Sequence, residues 1–533
     1  MDARRKQHGT SGVRDPRSKQ ALLLISCGLL FGSSVLAQSD TPTDDLTQQS
    51  LKFAEIYGKV EQNYLAPVDP DQAILNGGVR GMLSSLDPFS AFFDQDQFEM
   101  LQQQARGQTK GFGSILYVQT GKVVILQTAQ GSPSERAGLG PGDEIVEVNG
   151  THIDRLDFQS LIQVLERARS QRVHLGVIHP GQLVSQDFVL NPAEVALPTV
   201  DKAFVYAPGI AYVHLTGFEE KTPQEVADAV TRMGGAELKG LLLDLRDNHG
   251  GMVESALGVV SLFLKPGALV LTVRGRREPE KSYSTVVGPV RFDIPLVVLV
   301  NANTASAAEV VTAALQEHDR ALIAGEPTFG KGVVESVMGL SEKTGLALTT
   351  SQYFTPSGRS IQRPLPGTAL AGVELASSHG VPDQPLFHTD DGRPLTAAGG
   401  VTPDVAIPAP ELDPWAAFLN QRGIFTSFAS SYLTLHSRVD RSFEPDAQVL
   451  SNFQEYLTRQ QIRAPEEYWK GDQDYLKLRI RTEVVTLAEG LEAGDEIETR
   501  ADPQVEKAVA LFSRIAGVLA APASVRSKRS AKK

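Results

Sequence analysis

Between about residues 200 and 410, short apolar runs alternate with segments of helical spacing. Ile210 to Leu215, Leu241 to Leu245 and Leu296 to Val300 are near-continuous apolar stretches, as expected of strands covered on both faces. Leu269 to Val273, Tyr283 to Val287, Ala321 to Ala324 and Gly345 to Gln352 read as further strands. Thr222-Pro223-Gln224-Glu225 opens a helix, with threonine as the cap and proline in the first helical position. Val253 to Leu264 and Ala308 to Leu315 supply two more helices. Strands alternating with helices predict crossover connections and a partly parallel sheet, hence an α/β core.

The flanks read differently. Phe53, Ile56, Tyr57, Val60 and Tyr64 fall on one helical stripe, Pro67 to Pro70 breaks it, and Ile74, Val79, Met82, Leu83 and Leu86 form another. Residues 51–106 are therefore expected to be a helical segment. Residues 107–191 read as a small β-rich module. Val123 to Gln127, Asp143 to Val148 and Val173 to Val177 are its strands, and Phe158, Leu161, Ile162 and Leu165 mark a helix. From Glu411 to about residue 520 aromatic and aliphatic residues recur at helical spacing, with a last helix through Ile515. This region reads as a helical packing module or an interaction surface. The end, 521–533, is a basic tail.

Composition adjusts this picture at the amino end. A basic stretch precedes the apolar run Ala21 to Leu36, and Ala37 offers a small residue for cleavage, so residues 1–37 read as a secretory leader. A polar linker, 38–50, would follow. The only cysteine, Cys27, lies in the leader, so a mature chain has no disulfide and no thiolate nucleophile. The net charge is −12, and removing the leader's +4 (six basic, two acidic residues) gives −16. Neither value fits a nucleic-acid partner. The expected location is the periplasm, with membrane association only if the leader is retained.

The candidate chemistry sits between Val297 and Glu335. Ser306 falls at a strand-to-helix corner, where unpaired N–H groups such as that of Ala307 can meet a developing anion. A following strand returns the chain to Lys331, flanked by Gly330 and Gly332. A neutral lysine can take a serine proton, provided burial lowers its pKa from about 10.4 toward roughly 7–8. On residue types alone, a small-residue turn that only packs a helix on a sheet would account for the corner equally well.

Thr304 to Glu309 (TASAAE) followed by Gly325 to Gly332 (GEPTFGKG) resembles the signature of the carboxy-terminal processing peptidases, the tail-specific proteases of the S41 serine peptidases. The resemblance implies Ser306 as nucleophile and Lys331 as base, 331 − 306 = 25 positions apart. It extends to Gly81 to Asp94, to Leu245 to Gly251, to Tyr353 to Gln362 and to Gly400 to Asp404. It implies a crotonase-like or ClpP-like α/β core and no metal or organic cofactor. Ala307 with Gly250 or Gly251 would form the oxyanion hole. The module at 107–191 resembles a PDZ domain, which captures a chain terminus on a sheet edge. Its carboxylate-binding loop would be Gly111, Phe112, Gly113, Ser114 and Ile115. The implied partners are protein substrates with exposed C-terminal tails, with an adaptor protein and a homo-oligomer left open.

Two residues depart from the family pattern. Phe89 replaces a histidine in a segment expected to be structural, and Glu335 replaces a glutamine that orients the lysine. A carboxylate there favours the protonated amine and opposes its use as a base. His249 offers a Ser–His pair as an alternative. These departures keep a non-cleaving PDZ scaffold on the same fold as the rival to a serine endopeptidase. Acyl-CoA chemistry on this core would have no use for the PDZ module.

Overall fold

In the computed structural model, the apolar runs lie side by side because both of their faces are covered. It describes residues 43–515 except 106–107, 197, 278, 287–290, 341–342, 372–386, 397–398, 437–438, 464–468 and 470–472. The expected leader with Cys27, the first residues of the linker and the basic tail lie outside the described residues.

The central sheet has six strands, in the spatial order Val200–Ala207, Ile210–Leu215, Gly240–Asp244, Leu296–Val300, Leu322–Gly325 and Val405–Ala406. The first pair is antiparallel and the remaining neighbours are parallel. Successive side chains of a strand point to opposite faces. Leu241, Leu243, Leu296, Val298 and Val300 pack against helices Thr222–Arg232, Val253–Ser261 and Ala307–Glu317. Leu242, Val297, Leu299 and Leu322 face the other way and are covered by Val505, Ala508 and Leu511. That cover comes from the helix Pro503–Ala510 and the turn after it. Part of the C-terminal region is therefore a layer of the core.

A second, antiparallel sheet includes a strand that begins just after Lys331. Its longest strand, Gly345–Phe354, pairs with Ala91–Phe93, with Val333–Gly339 and with Leu269–Gly275, which in turn pairs with Lys281–Ser284. The N-terminal segment is thereby built into the core, with Ala91 opposite Ala347.

The PDZ-like module has the strands Ser114–Gln119, Lys122–Thr128, Glu144–Val148, Val173–Ile178 and Gln186–Leu190 and the helix Phe158–Arg169. Gln108–Gly111 pairs with Ala193–Ala196 at its base, so the module closes at Ala196 rather than Asn191. The C-terminal helices Ile424–Leu435, Ala447–Arg459 and Gln473–Glu489 share one core, which includes Val124 of the PDZ-like sheet. Gln119 Nε2 donates to Ser427 Oγ at 3.0 Å. On the other side, the Arg500 guanidinium donates to the carbonyls of Val205 (2.8 Å) and Tyr206 (2.6 Å). The region thus joins the module to the core.

The expected linker needs correction. The first helix is Thr43–Asn63, so residues 43–50, read as linker, are its opening turns. Their polar composition marks exposure to solvent, and a helix can be exposed: Leu46, Leu51 and Ile56 are exposed as well. The second helical stripe does form a helix, with π geometry over Asp71–Val79 and α geometry over Arg80–Leu86.

One ion pair lies wholly inside the core. Arg359 Nε donates to Glu317 Oε1 at 2.7 Å, with both side chains 1% exposed. Its Nη1 donates to the carbonyls of Thr396 and Gly400, and the Ser357 N–H donates to Glu317. Removing one partner leaves an uncompensated buried charge, at a cost of about 3–5 kcal/mol. Arg359→Met is expected to lower the unfolding free energy of the core by that amount in urea. A loss under about 1 kcal/mol, the usual worth of an exposed pair, would contradict this placement.

Candidate active site

Two loops leave the carboxyl ends of adjacent parallel strands, where open α/β sheets place their ligands. One follows Gly240–Asp244 and the other follows Leu296–Val300. Their bonds to each other are direct. Thr304 Oγ1 donates to the Leu245 carbonyl (2.7 Å), and the Ala305 N–H donates to the Asn248 carbonyl (2.9 Å). The side-chain amides of Asn301 and Asn303 donate to Asp247 Oδ1 at 2.9 and 2.8 Å. Burial alone would raise the Asp247 carboxyl, but the amides of Asn303 and Asn301 hold it below its ordinary range.

Ser306 caps the helix Ala307–Glu317 with φ 56° and ψ −119°. A residue with a β-carbon adopts such a conformation at a cost of about 1–3 kcal/mol, and only where its surroundings enforce it. Ser306 is half-buried and forms a capping box with Glu309. It faces a pocket of about 40 Å³ lined by Gly251, Val253, Val310, Val333, Val334 and Tyr353.

What enforces the conformation is Glu309, fully buried at the third position of the helix. Its Oε2 accepts from the N–H groups of Ser306 (3.0 Å) and Lys331 (2.8 Å). Its Oε1 accepts from the Gly330 N–H (2.7 Å) and from Thr328 Oγ1 (2.5 Å). Burial pushes this carboxyl up, and these four donors pull the other way without cancelling it. One side chain therefore fixes the serine corner to the lysine loop. Tyr353 adds a second tie: its hydroxyl lies on the carbonyl oxygens of Ser306 (3.1 Å) and Lys331. Burial raises the Tyr353 hydroxyl well above its ordinary range, so it stays a proton donor. Neither residue was singled out from the sequence. Glu309 had a readable signal, a serine followed three residues later by glutamate at the start of a helix.

The two glycines of the facing loop differ. The Gly250 N–H donates to Asn248 Oδ1 at 2.9 Å and is therefore not free for an oxyanion. Asn248 is buried, and its Nδ2 donates to the Leu215 carbonyl at 2.8 Å, which orients its oxygen toward the turn. The N–H groups of Gly251 and Ala307 have no acceptor among the described residues. A Cβ at Gly250 would stand 2.8 Å from the Ser306 Cβ and 2.9 Å from the Ala307 nitrogen, so this loop is packed on the serine.

Lys331 is not where the sequence placed it. Its Nζ lies 2.9 and 3.1 Å from the two Glu335 carboxylate oxygens, and no hydrogen bond joins it to Ser306. Its side chain is 21% exposed, so the amine is not dry either. The physical reason is direct: an ionised carboxylate is a stronger acceptor for the amine than a neutral hydroxyl. Nζ also lies 4.7 Å from the centre of the Phe89 ring. The Gly81 to Asp94 segment, expected to be structural only, therefore reaches the site. His249 is exposed and hydrogen-bonds to nothing among the described residues, so no Ser–His pair forms.

The loop Gly111 to Ile115 stands at the entrance to Ser114–Gln119, an edge strand of the PDZ-like sheet. Gly113 has φ 77°, and a Cβ there would meet the Ser132 Cβ at 2.3 Å. Ser114 Oγ donates to Ser134 Oγ at 2.8 Å, and the carbonyls of Phe112 and Gly113 accept from Ser134 and Ala129. The N–H groups of Phe112 and Gly113 are left without an acceptor among the described residues.

Glu309→Gln replaces one accepting oxygen with a donor that faces backbone N–H groups. Labelling of Ser306 by a serine-reactive probe is expected to slow about 30-fold, the equivalent of roughly 2 kcal/mol for one unmet buried bond. His249→Ala should leave labelling unchanged. Equal losses from both variants would contradict the roles given to them.

Residues 209–370 match the model of peptidase family S41, and residues 124–178 match that of a PDZ domain. A carboxy-terminal-processing protease of Bartonella bacilliformis is 30% identical over 350 residues, which cover 64% of this chain and 80% of its own length. A carboxyl-terminal-processing protease of Synechocystis is 33% identical over 291 residues, covering 54% of this chain and 68% of its own. The solved photosystem II D1 C-terminal processing protease is 27% identical and covers 68% of this chain and 87% of that one, with a TM-score of 0.37. Sequence identity, not superposition, carries the relation: the chain belongs to the carboxy-terminal-processing proteases, peptidase family S41, and carries their PDZ domain.

Proposed function

We propose that the protein is a serine endopeptidase in which Ser306 is the nucleophile and Lys331 the general base, acting on protein substrates held by their C-terminal tails. The observation that carries this reading is the Glu309 carboxylate, which bonds the backbone N–H groups of both residues at once. The two reacting side chains thus spring from one rigid frame. The Lys331 amine must leave Glu335 to meet the serine hydroxyl.

In the first step Ser306 Oγ attacks the scissile carbonyl and its proton passes to the Lys331 amine. The carbonyl oxygen becomes an anion beside the free N–H groups of Gly251 and Ala307. Collapse of this intermediate breaks the C–N bond. Lys331 gives its proton to the departing amine and returns to the neutral form. A water then attacks the acyl ester, with Lys331 again taking and returning the proton, and Ser306 is released. The small pocket lined by Val253, Val310 and Val333 favours a small apolar residue before the cut. The PDZ domain would add the tail as a strand beside Ser114–Gln119, with the carboxylate on the N–H groups of Phe112 and Gly113. The leader-like residues 1–37 support a periplasmic site of action.

The ion pair between Lys331 and Glu335 favours one other reading, a PDZ protein that holds tails without cutting them. Incubating the mature chain with an unfolded protein and resolving the products on a gel separates the two. Cleavage is expected. Ser306→Ala should reduce it by at least about 10³-fold and leave tail-peptide affinity intact; full turnover by this variant would exclude the nucleophile. Glu335→Gln removes the carboxylate that engages the Lys331 amine, so cleavage is expected to rise severalfold. An unchanged rate would show that Glu335 does not hold the base.

A further inference from the structure

The two positions that depart from the family pattern, Phe89 and Glu335, meet at one atom, the Lys331 Nζ. We propose that Phe89 is a positioning residue: its ring, together with the Glu335 carboxylate, holds the Lys331 amine in a resting place away from Ser306, and leaving that place limits catalysis. The inference rests on the reading of Lys331 as the base.

Three observations carry it. The ring is placed by backbone and buried polar groups, not by chance contact at the surface. Asp87 Oδ1 accepts from the N–H groups of Phe89 (2.8 Å) and Ser90 (2.7 Å), and Ser90 Oγ donates to Asp87 Oδ2 (3.0 Å). Asp87 and Ser90 are both buried. Next, both halves of the holder are referred to the same residue of the long strand. The Thr349 N–H donates to Ser90 Oγ at 3.2 Å, and Glu335 is the strand partner of Thr349. The register shifts between Val334 and Glu335, and such an irregularity re-aims a side chain. Finally, both surfaces suit an ammonium. An aromatic face within about 6 Å attracts a cation through its quadrupole, and a carboxylate attracts it by charge. A serine hydroxyl offers neither.

The other polar groups around Lys331 are already engaged. The Glu309 carboxylate takes the Lys331 backbone N–H, and the Tyr353 hydroxyl takes its carbonyl. Asp87 is turned to its own loop, and the Arg363 guanidinium donates to the Thr328 carbonyl at 2.9 Å. The partners of the amine in this resting place are therefore Glu335 and the Phe89 ring.

The test uses the full chain, peptide cleavage and serine-probe labelling from about pH 5 to about pH 10, across the range where an amine loses its proton. Phe89→Leu keeps an apolar side chain and removes the ring face. Its kcat is expected to rise about twofold to threefold, with KM unchanged. Phe89→Trp, with the stronger ring face, should lower kcat. A Phe89→Leu kcat equal to or below the parent's would overturn the proposal and leave Phe89 as packing alone. Should Phe89→Leu not fold, the Trp variant alone decides: a lower kcat with KM unchanged supports the holder, and an equal or higher one overturns it. Cleavage retained by Ser306→Ala would instead remove the Ser–Lys reading, and this inference with it.

Discussion

A carboxylate taken out of water is costly unless its oxygens find donors. Glu309 finds four, and they belong to two pieces of chain: the serine corner, and the lysine loop with the threonine that opens it. This is the interaction on which the rest depends. It holds Ser306 in a backbone conformation that the residue would not adopt unaided. It sets the distance between two segments that are covalently linked only through a helix and a strand. Thr328 extends the frame, since its hydroxyl also accepts from the Val401 N–H at 2.7 Å. The Gly332 N–H, held by Gln362 Oε1 at 2.9 Å, closes the lysine loop on its far side.

The frame is rigid in the backbone and permissive in the side chains. Lys331 has found a carboxylate, and the N–H groups of Ala307 and Gly251 have no acceptor among the described residues. All the order in the site therefore belongs to the parts that would be the same before and after a proton moves. The parts that must change partners during a reaction are those left with weak or competing ones. Burial of Tyr353 and Glu309 sharpens the contrast, because buried polar groups with satisfied bonds have no alternative arrangement of similar energy.

Much of this was legible in advance, for identifiable reasons. The core strands announce themselves because Leu241 to Leu245 and Leu296 to Val300 are covered on two faces and so are apolar at every position. The serine corner was legible from small residues between such a strand and a helix. What escaped was the direction of side chains on loops. No periodicity tells whether Lys331 points at Ser306 or at Glu335, and the ring that its Nζ meets comes from Phe89, 331 − 89 = 242 positions earlier. The choice between Gly250 and Gly251 was equally hidden, because it turns on Asn248, whose orientation depends on the carbonyl of Leu215. The opening turns at Thr43 were misread because solvent exposure and lack of structure leave the same polar composition.

The loop that carries Gly251 begins with Arg246, whose guanidinium is shared between Asp244, Asp502 and Gln504. The last two lie 256 and 258 positions further along. Those two residues stand at the start of the helix Pro503–Ala510, which also covers one face of the central sheet. Damage to that helix would therefore reach the turn beside Ser306 through Arg246, without touching any residue of the turn itself.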